Sequence, residues 1–185
     1  MIYKDNKPRC PWCNLKNPLY VEYHDKEWGV ARFDDGYLFE MLILESFQAG
    51  LSWECVLNKR EAFRKAFDGF DAEKMSGYSE EKIAELLGNK DLIRNRLKMR
   101  AAVTNSRVFL DIVRENGSFY NYLRIFLPDE TVFENDKTSS PLSDVISADL
   151  CRRGMKFVGT TIIYSYLQAV GVINSHSDEC FLNKK

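Results

Sequence analysis

Residues of the kind that bind metal ions lie near both ends of the chain, and this feature restricts the possible folds more than any other. His176 and Cys180 are four positions apart in the stretch NSHSDEC, so both side chains could reach one ion from a helical turn. The only other histidine, His24, follows Cys10 and Cys13, which form a C-x-x-C pair. The two histidines, Cys180 and one N-terminal cysteine make a four-ligand set suited to Zn²⁺. Such a closed, structural site would tie the two ends of the chain together.

A second interpretation treats His176 as a solvated tail residue and the C-x-x-C spacing as chance. The five cysteines are odd in number, which favours thiols or metal ligands over disulfides in a reducing compartment. The first 15 residues lack the apolar segment of a signal peptide, and no apolar run approaches the roughly 20 residues that cross a bilayer. We therefore expect a cytoplasmic protein without a membrane partner.

Apolar residues recur at helical spacing in the first half of the chain. Residues 37–49 suit a buried helix. Ser52 is the expected N-cap of a second helix, whose apolar side continues to Phe67. Ser79 is expected to begin a third helix, which ends near Gly88. This spacing predicts a helical N-terminal half.

The second half continues the same pattern. A long helix is predicted over about residues 92–115, and Gly117 stops it. Pro141 is expected at the first position of another helix, closed by Gly154. The β-branched and aromatic residues of 160–170 also suit a strand, but no partner strand is evident and a helix is predicted. With no repeat or linker in the sequence, we predict a single all-α domain over residues 1–185.

The aromatic residues are distributed unevenly. All three tryptophans, Trp12, Trp28 and Trp53, fall in the first 53 residues and are interleaved with Tyr20 and Tyr23. These rings could simply belong to the core. Alternatively, they could form a pocket in which flat π-faces hold a flat ligand.

Glu45 lies within the predicted buried helix, three and four residues after the apolar Leu42 and Met41. Helical geometry places its carboxyl group beside these neighbours. A carboxylate in such surroundings must find a hydrogen-bond donor or carry a desolvation penalty. Glu45 is therefore either paired with a core group or an acid of a functional pocket.

Basic residues are concentrated in KDLIRNRLKMRAAVTNSR, residues 90–107, where the only acid is Asp91. Such a run is often a solvated helix face. Here it follows a turn at Gly88 and Asn89, so exposed backbone N–H groups backed by arginines could bind phosphate. The net charge of −1 gives no independent indication of a nucleic-acid partner.

Four motifs in this order resemble one known family: RCPW…NPLYVEYHDKEWG, LFEMLILESFQAGLSW, LIRNR and GMKFVGTTIIYSYLQAVG…NSHSDEC. Together they are similar to the DNA-3-methyladenine glycosylase I family of the helix-hairpin-helix superfamily, from about Arg9 to Cys180. The resemblance implies a helix-hairpin-helix glycosylase fold, with a zinc site joining segments 9–29 and 174–180 and a hairpin region at about 80–107. It also implies a monofunctional enzyme that hydrolyses the N-glycosidic bond of 3-methyladenine in alkylated double-stranded DNA.

The resemblance also implies roles for individual residues. The family's zinc ligands match Cys10, His24, His176 and Cys180. An extra residue after Trp12 leaves Cys13 open as a replacement for Cys10.

The implied base pocket uses Glu45 and Tyr23 to hydrogen-bond the flipped base. The other implied pocket residues supply aromatic surfaces: Trp53 for stacking, and Trp12, Tyr20 and Trp28 for the walls. Because an adenine methylated at N3 is cationic while attached to its sugar, we expect Glu45 to act in recognition and electrostatics rather than as a base that activates water.

For DNA contact, the resemblance implies a hairpin that holds phosphate through backbone amides, with charge from Arg94 or Arg96. Leu51 in AGLSW is a candidate wedge for the gap left by the flipped nucleotide. No catalytic Asp or Lys after the hairpin is evident, so we expect no lyase activity. The expected form is a monomer associated with the nucleoid through DNA.

Two alternatives stay open at the level of sequence. The chain could be a zinc-stapled helical module that binds nucleic acid or protein without catalysis. Within the enzyme class, excision could extend to other alkylated bases such as 7-methylguanine.

Overall fold

The computed structural model describes residues 5–183, so the domain predicted over 1–185 includes residues 1–4 and 184–185 that lie outside the described part. The fold is mostly helical, as predicted. The ten helices of the described residues are α1 (Pro18–Lys26), α2 (Asp35–Gln48), α3 (Trp53–Leu57), α4 (Arg60–Ala66), α5 (Ala72–Ser76), α6 (Glu80–Gly88), α7 (Arg96–Asn116), α8 (Phe119–Arg124), α9 (Pro141–Arg152) and α10 (Thr160–Ala169).

Helix α2 lies at the centre of the molecule and contacts α3, α7, α8 and α10. Its apolar residues are almost entirely buried, as expected for a helix that is apolar on most of its surface. The Asp34 side chain accepts a hydrogen bond from the Tyr37 amide and fixes the start of the helix. The side chains of the active-site candidates at the end of α2 are therefore carried by a rigid, central element.

The predicted helix that begins at Ser52 and continues to Phe67 is wrong in its length, because it divides into α3 and α4. Ser52 caps α3 as expected. The chain then turns at Asn58 and Lys59, whose side chains bond to other segments: Asn58 accepts from Asn17, and Lys59 donates to the carbonyl of Asp91. The chain therefore forms two short helices joined by these contacts with distant segments rather than one continuous helix.

The long helix α7 begins at Arg96 rather than near residue 92. The Asn95 side chain accepts a hydrogen bond from the Lys98 amide and sets this start. Residues 89–95 form an irregular turn between α6 and α7, within the range of about 80–107 where the hairpin is predicted. Gly117 ends α7 in a left-handed conformation with φ of 82°, as its position in the sequence indicated.

A small parallel ladder pairs β1 (Val132–Phe133) with β2 (Ile173–Asn174). No pattern in the sequence indicated this ladder, which lies outside residues 160–170; those residues form helix α10, as predicted. The ladder brings the loop after β1 next to the segment that carries His176. Among the described residues, no helix has the length and apolarity needed to span a membrane.

Candidate active site and metal centre

Four buried ligand-type side chains from the two ends of the chain meet in one cluster: Cys10, His24, His176 and Cys180. Their ligand atoms all lie within 4.8 Å of one another. Cys180 Sγ is 3.5 Å from His24 Nε2 and 3.4 Å from His176 Nδ1. Tetrahedral zinc with ordinary Zn–S and Zn–N bond lengths requires a sulfur-to-nitrogen separation of about 3.5 Å. The donor set and its spacing therefore fit a closed metal site.

The outer nitrogen of each histidine ring has a partner that orients the ring. His24 Nδ1 is 2.8 Å from Asp25 Oδ1, and Asp25 in turn pairs with Arg9. His176 Nε2 is 3.3 Å from the carbonyl oxygen of Trp28. These contacts leave His24 Nε2 and His176 Nδ1 facing the two sulfurs. Hydrogen bonds to the outer nitrogen orient histidine ligands in the same way at metal centres.

Cys13 lies outside this cluster. Its Sγ is 3.9 Å from the carbonyl oxygen of Tyr20, which it contacts instead of the two histidines. Of the two cysteines that the sequence left open, Cys10 is the one that the fold brings to His24, His176 and Cys180.

An aromatic cavity of about 580 Å³ lies beside the metal-ligand cluster. Tyr23 and Trp53 face each other with ring centroids 5.2 Å apart, and Trp12 meets Trp28 at 4.7 Å. The cavity thus brings together every pocket residue predicted from the sequence: Trp12, Tyr20, Tyr23, Trp28, Glu45 and Trp53. A space of this size with flat apolar walls suits a planar ligand such as a single nucleobase.

Glu45 lies in this cavity and is only 2% exposed. Its Oε2 atom is buried and has no hydrogen-bond partner within residues 5–183. Burial raises the pKa of Glu45 well above its ordinary value, so the ligand-free side chain favours the neutral acid. The sequence indicates a carboxylate at this position; in the ligand-free fold, burial favours the neutral form instead.

The Tyr23 hydroxyl belongs to the same environment. Burial raises the pKa of Tyr23 well above its usual value, and the nearby Glu45 raises it further. Tyr23 is therefore a neutral donor or acceptor across the physiological range.

Gln48 is a cavity residue that the sequence analysis missed. It lies one helical turn after Glu45 on α2, and its Oε1 atom is buried without a partner in the described part of the chain. Trp53 Nε1 is a third buried polar atom in the same state. The E-x-x-Q spacing, which places two polar side chains on one face of a buried helix, is the signal that could have identified Gln48.

The opposite rim of the cavity comes from two segments that the β1–β2 ladder joins. Residues 135–137 follow β1, and Ser175, Ser177 and Asp178 follow β2. Gln168 of α10 also lines the cavity and donates to Ser175 Oγ at 2.8 Å. None of these rim residues was predicted, because their position depends on a two-residue ladder that has no periodic signature.

The three candidate DNA-contact residues lie outside the cavity. Leu51 follows Gly50 in the turn after α2 and is 42% exposed. Arg94 lies in the hairpin turn and Arg96 begins α7; both side chains are exposed. Arg96 lies 3.6 Å from Glu80, and about half of its side chain is exposed.

Comparisons with known proteins identify a single group of relatives. A family model described as Methyladenine glycosylase matches residues 12–183. The chain is 41% identical over 178 residues to DNA-3-methyladenine glycosylase 1 of Escherichia coli (strain K12), an alignment that covers 93% of this chain and 95% of the relative.

Two solved structures share the fold. A crystal structure of 3-methyladenine DNA glycosylase I superimposes with a TM-score of 0.90 and 42% identity, covering 95% of this chain and 100% of the other. A tyrosine-to-phenylalanine variant of 3-methyladenine DNA glycosylase I in complex with 3-methyladenine gives a TM-score of 0.88 at 31% identity, covering 93% and 95% of the two chains.

Proposed function

The chain belongs to the methyladenine glycosylase family, and we propose that it hydrolyses the N-glycosidic bond of 3-methyladenine in alkylated DNA. The observation that carries this proposal is the aromatic cavity with three unpartnered polar atoms, on Glu45, Gln48 and Trp53. Unpaired buried polar groups are costly, and a ligand that pairs with them recovers that cost. An extruded base supplies both the flat faces and the hydrogen-bonding edge.

The proposed mechanism depends mainly on recognition of a cation. The base methylated at N3 carries a positive charge while it is attached to the sugar, and the aromatic rings stabilise a cationic ring stacked between them. The charge also lowers the pKa of Glu45 on binding, since an opposite charge nearby favours the carboxylate. Glu45 and Gln48 then accept hydrogen bonds from the exocyclic amine, and Tyr23 supplies a further polar contact.

Bond cleavage follows from the charge of the substrate. The base leaves as a neutral molecule with the bonding electrons, a water oxygen adds to the sugar carbon, and the proton of that water passes to solvent. Because the leaving group needs no protonation, binding of the extruded nucleotide supplies most of the required rate. Guanine would present a carbonyl oxygen to the acceptors of Glu45 and Gln48, so we propose that the cavity favours adenine over guanine.

We further propose that the enzyme is monofunctional and acts on duplex DNA as a monomer in the cytoplasm, at the nucleoid. Leu51 fills the gap left by the flipped nucleotide, while Arg94, Arg96 and backbone amides of the hairpin turn hold phosphate. Lys98, the lysine that follows the hairpin turn, donates to two backbone carbonyls and is not among the cavity residues. This placement supports hydrolysis without a lysine nucleophile.

Cys10, His24, His176 and Cys180 would hold a structural zinc ion. Zinc at this site supplies no chemistry to the reaction, because four protein ligands leave no open position. Its contribution is to fix the segments on either side of Trp12 and Trp28, two walls of the cavity.

The decisive experiment incubates the purified protein with DNA that has been methylated at adenine N3 and identifies the released bases by chromatography. The proposal predicts free 3-methyladenine and abasic sites without strand cleavage. A non-catalytic binding module would retain the DNA and release no base. Release of 7-methylguanine at a comparable rate would contradict the proposed preference for adenine.

A further inference from the structure

Lys98 is a buried lysine whose partners are unusual. Its side chain is 5% exposed, and Nζ donates to the carbonyl oxygens of Phe47 at 2.8 Å and Ala49 at 2.5 Å. Buried lysines normally pair with a carboxylate, but among the described residues Lys98 has none as a hydrogen-bond partner. Burial lowers the pKa of Lys98, yet the side chain has two N–H donors in either protonation state.

The two acceptors belong to the last turn of α2 and the turn that follows it. The final carbonyls of a helix have no partners within the helix and form the negative end of its dipole. The Leu51 amide donates to the Gln48 carbonyl at 2.6 Å. Lys98 and this amide therefore satisfy the carbonyls of residues 47, 48 and 49, and together they define the turn that presents Leu51.

Lys98 comes from a different part of the chain, the third residue of α7, directly after the hairpin turn. A second lysine makes the reverse connection: Lys59, at the junction of α3 and α4, donates to the carbonyls of Lys90 at 3.4 Å and Asp91 at 3.0 Å in the hairpin turn. The hairpin is thus attached at one side to the end of α2 and at the other side to the α3–α4 junction.

We propose that Lys98 is a positioning residue that holds the Leu51 turn in register with the hairpin, so that phosphate binding and insertion of Leu51 occur in one rigid unit. This inference rests on the proposed function and deepens it by naming a residue that touches neither DNA nor base. Without Lys98, the carbonyls of Phe47 and Ala49 lack their donor and the turn is free to change conformation. Most residues that line the base cavity lie on other segments and stay in place; Gln48, the last residue of α2, is the cavity residue that lies next to this turn.

The test compares single-turnover excision of 3-methyladenine from duplex and single-stranded DNA by Lys98→Met, which keeps the length of the side chain but has no donor. The proposal predicts a loss of about tenfold or more on the duplex and a much smaller loss on single strands, since only the duplex requires a wedge whereas both substrates use Gln48. Equal losses on both substrates would overturn it by indicating a general structural defect, and full duplex activity would overturn it directly. Lys74→Met, at an exposed lysine of α5, is the matched control and should leave both rates unchanged.

A double-mutant cycle with Leu51→Ala gives an independent readout. If Lys98 acts through Leu51, the Lys98→Met/Leu51→Ala double variant is no slower on duplex DNA than the slower single variant. A double variant whose loss of duplex activity equals the product of the two single losses would overturn the proposal. If Lys98→Met does not fold, Lys98→Arg is the second variant, because a guanidinium retains donors for both carbonyls. Duplex excision near the wild-type rate, or a defect confined to the duplex, supports the proposal, and equal losses on duplex and single strands contradict it. Failure of the wild-type protein to release 3-methyladenine from either substrate would instead refute the proposed function.

Discussion

The buried carboxyl group of Glu45 links the stability of the protein to its function. In the ligand-free state its Oε2 atom has no donor among residues 5–183 to offset its burial, so the folded protein holds a proton that the unfolded chain releases at ordinary acidity. The titratable groups that act on it electrostatically, Tyr20 and Tyr23, have raised pKa values and stay neutral near pH 7. The burial of Glu45 costs stability, and the proposed function assigns that cost to base binding, as expected at a functional site.

Glu45→Gln should raise the free energy of unfolding, and the gain should grow with pH. Because the folded-state pKa is raised, the folded form binds more protons than the unfolded form above the ordinary value of 4.5, and wild-type stability falls as pH rises from there toward the folded pKa. Glutamine removes this loss, which is at most about 1.4 kcal/mol per pH unit. Urea titrations of both proteins between about pH 5 and 8 measure the difference.

The control for this measurement is Glu85→Gln, at an exposed glutamate paired with Lys82. Its stability relative to wild type should change little with pH. A difference between Glu45→Gln and wild type that stays constant over the same range would show that Glu45 titrates normally and is not buried as described.

At the scale of secondary structure, the hairpin region presents arginines in two different states. Arg100 donates two hydrogen bonds to Glu80, both at 2.8 Å, and is already paired. Arg94 lies exposed in the turn. A guanidinium that is already held by a carboxylate is less available to pair with a phosphate and release its counterion, so the two residues should differ in their contribution to DNA binding.

Arg94→Ala should reduce the slope of log K against log salt for duplex binding by about 0.9, the value for one lost phosphate contact. Arg100→Ala should leave the slope nearly unchanged and serves as the matched control. Binding isotherms at several salt concentrations provide the measurement. Equal slopes for Arg94→Ala and wild type would remove Arg94 from the DNA interface.

The helices that the sequence predicted well are those with a clear local signal. Ser79 and Gly88 bound α6, Pro141 begins α9, and Gly117 ends α7. Prediction from the local sequence failed where contacts between distant segments determine the ends of a helix. Asn58 and Lys59 break a continuous helix because their side chains bond to distant segments, and helices as short as α5 and α8 contain too few turns to show a period.

The residues of the candidate site also differ in whether a local pattern in the sequence predicts them. Residues on one element at helical spacing, such as Glu45, could be inferred from the pattern of α2. Gln48 lies on the same face of α2 and could have been inferred from the same pattern. The rim at residues 135–137 could not be inferred in this way, because these residues reach the cavity only through the pairing of β1 with β2. The choice of Cys10 over Cys13 likewise depended on the path of the chain around His24.

For the molecule as a whole, the metal-ligand cluster connects the two ends of the chain to the cavity. Cys10 and His24 flank Trp12 and precede Trp28, whose carbonyl oxygen lies 3.3 Å from His176. Loss of the cluster should therefore loosen both termini and the aromatic walls between them. Metal binding of this type contributes directly to folding.

Cys10→Ser should abolish retention of zinc and lower the melting temperature, because one of the four ligands is lost. The wild-type protein should hold about one zinc ion per chain, as a four-ligand site does. Cys13→Ser is a close control, since Cys13 is buried nearby but lies outside the cluster. Metal analysis and thermal unfolding with and without a chelator distinguish the two variants. If Cys13→Ser loses zinc while Cys10→Ser retains it, Cys13 and not Cys10 is the ligand.

The most direct test of the proposed recognition by Glu45 is a titration of the wild-type protein and Glu45→Leu with free 3-methyladenine, followed by tryptophan fluorescence. The account predicts a 1:1 complex that quenches emission from the cavity tryptophans. Glu45→Leu, which has no hydrogen-bonding group, should bind about tenfold or more weakly, the range expected when a buried hydrogen-bonding group is lost. Equal affinity of the two proteins, with excision abolished in the variant, would show that Glu45 serves the chemical step and not recognition.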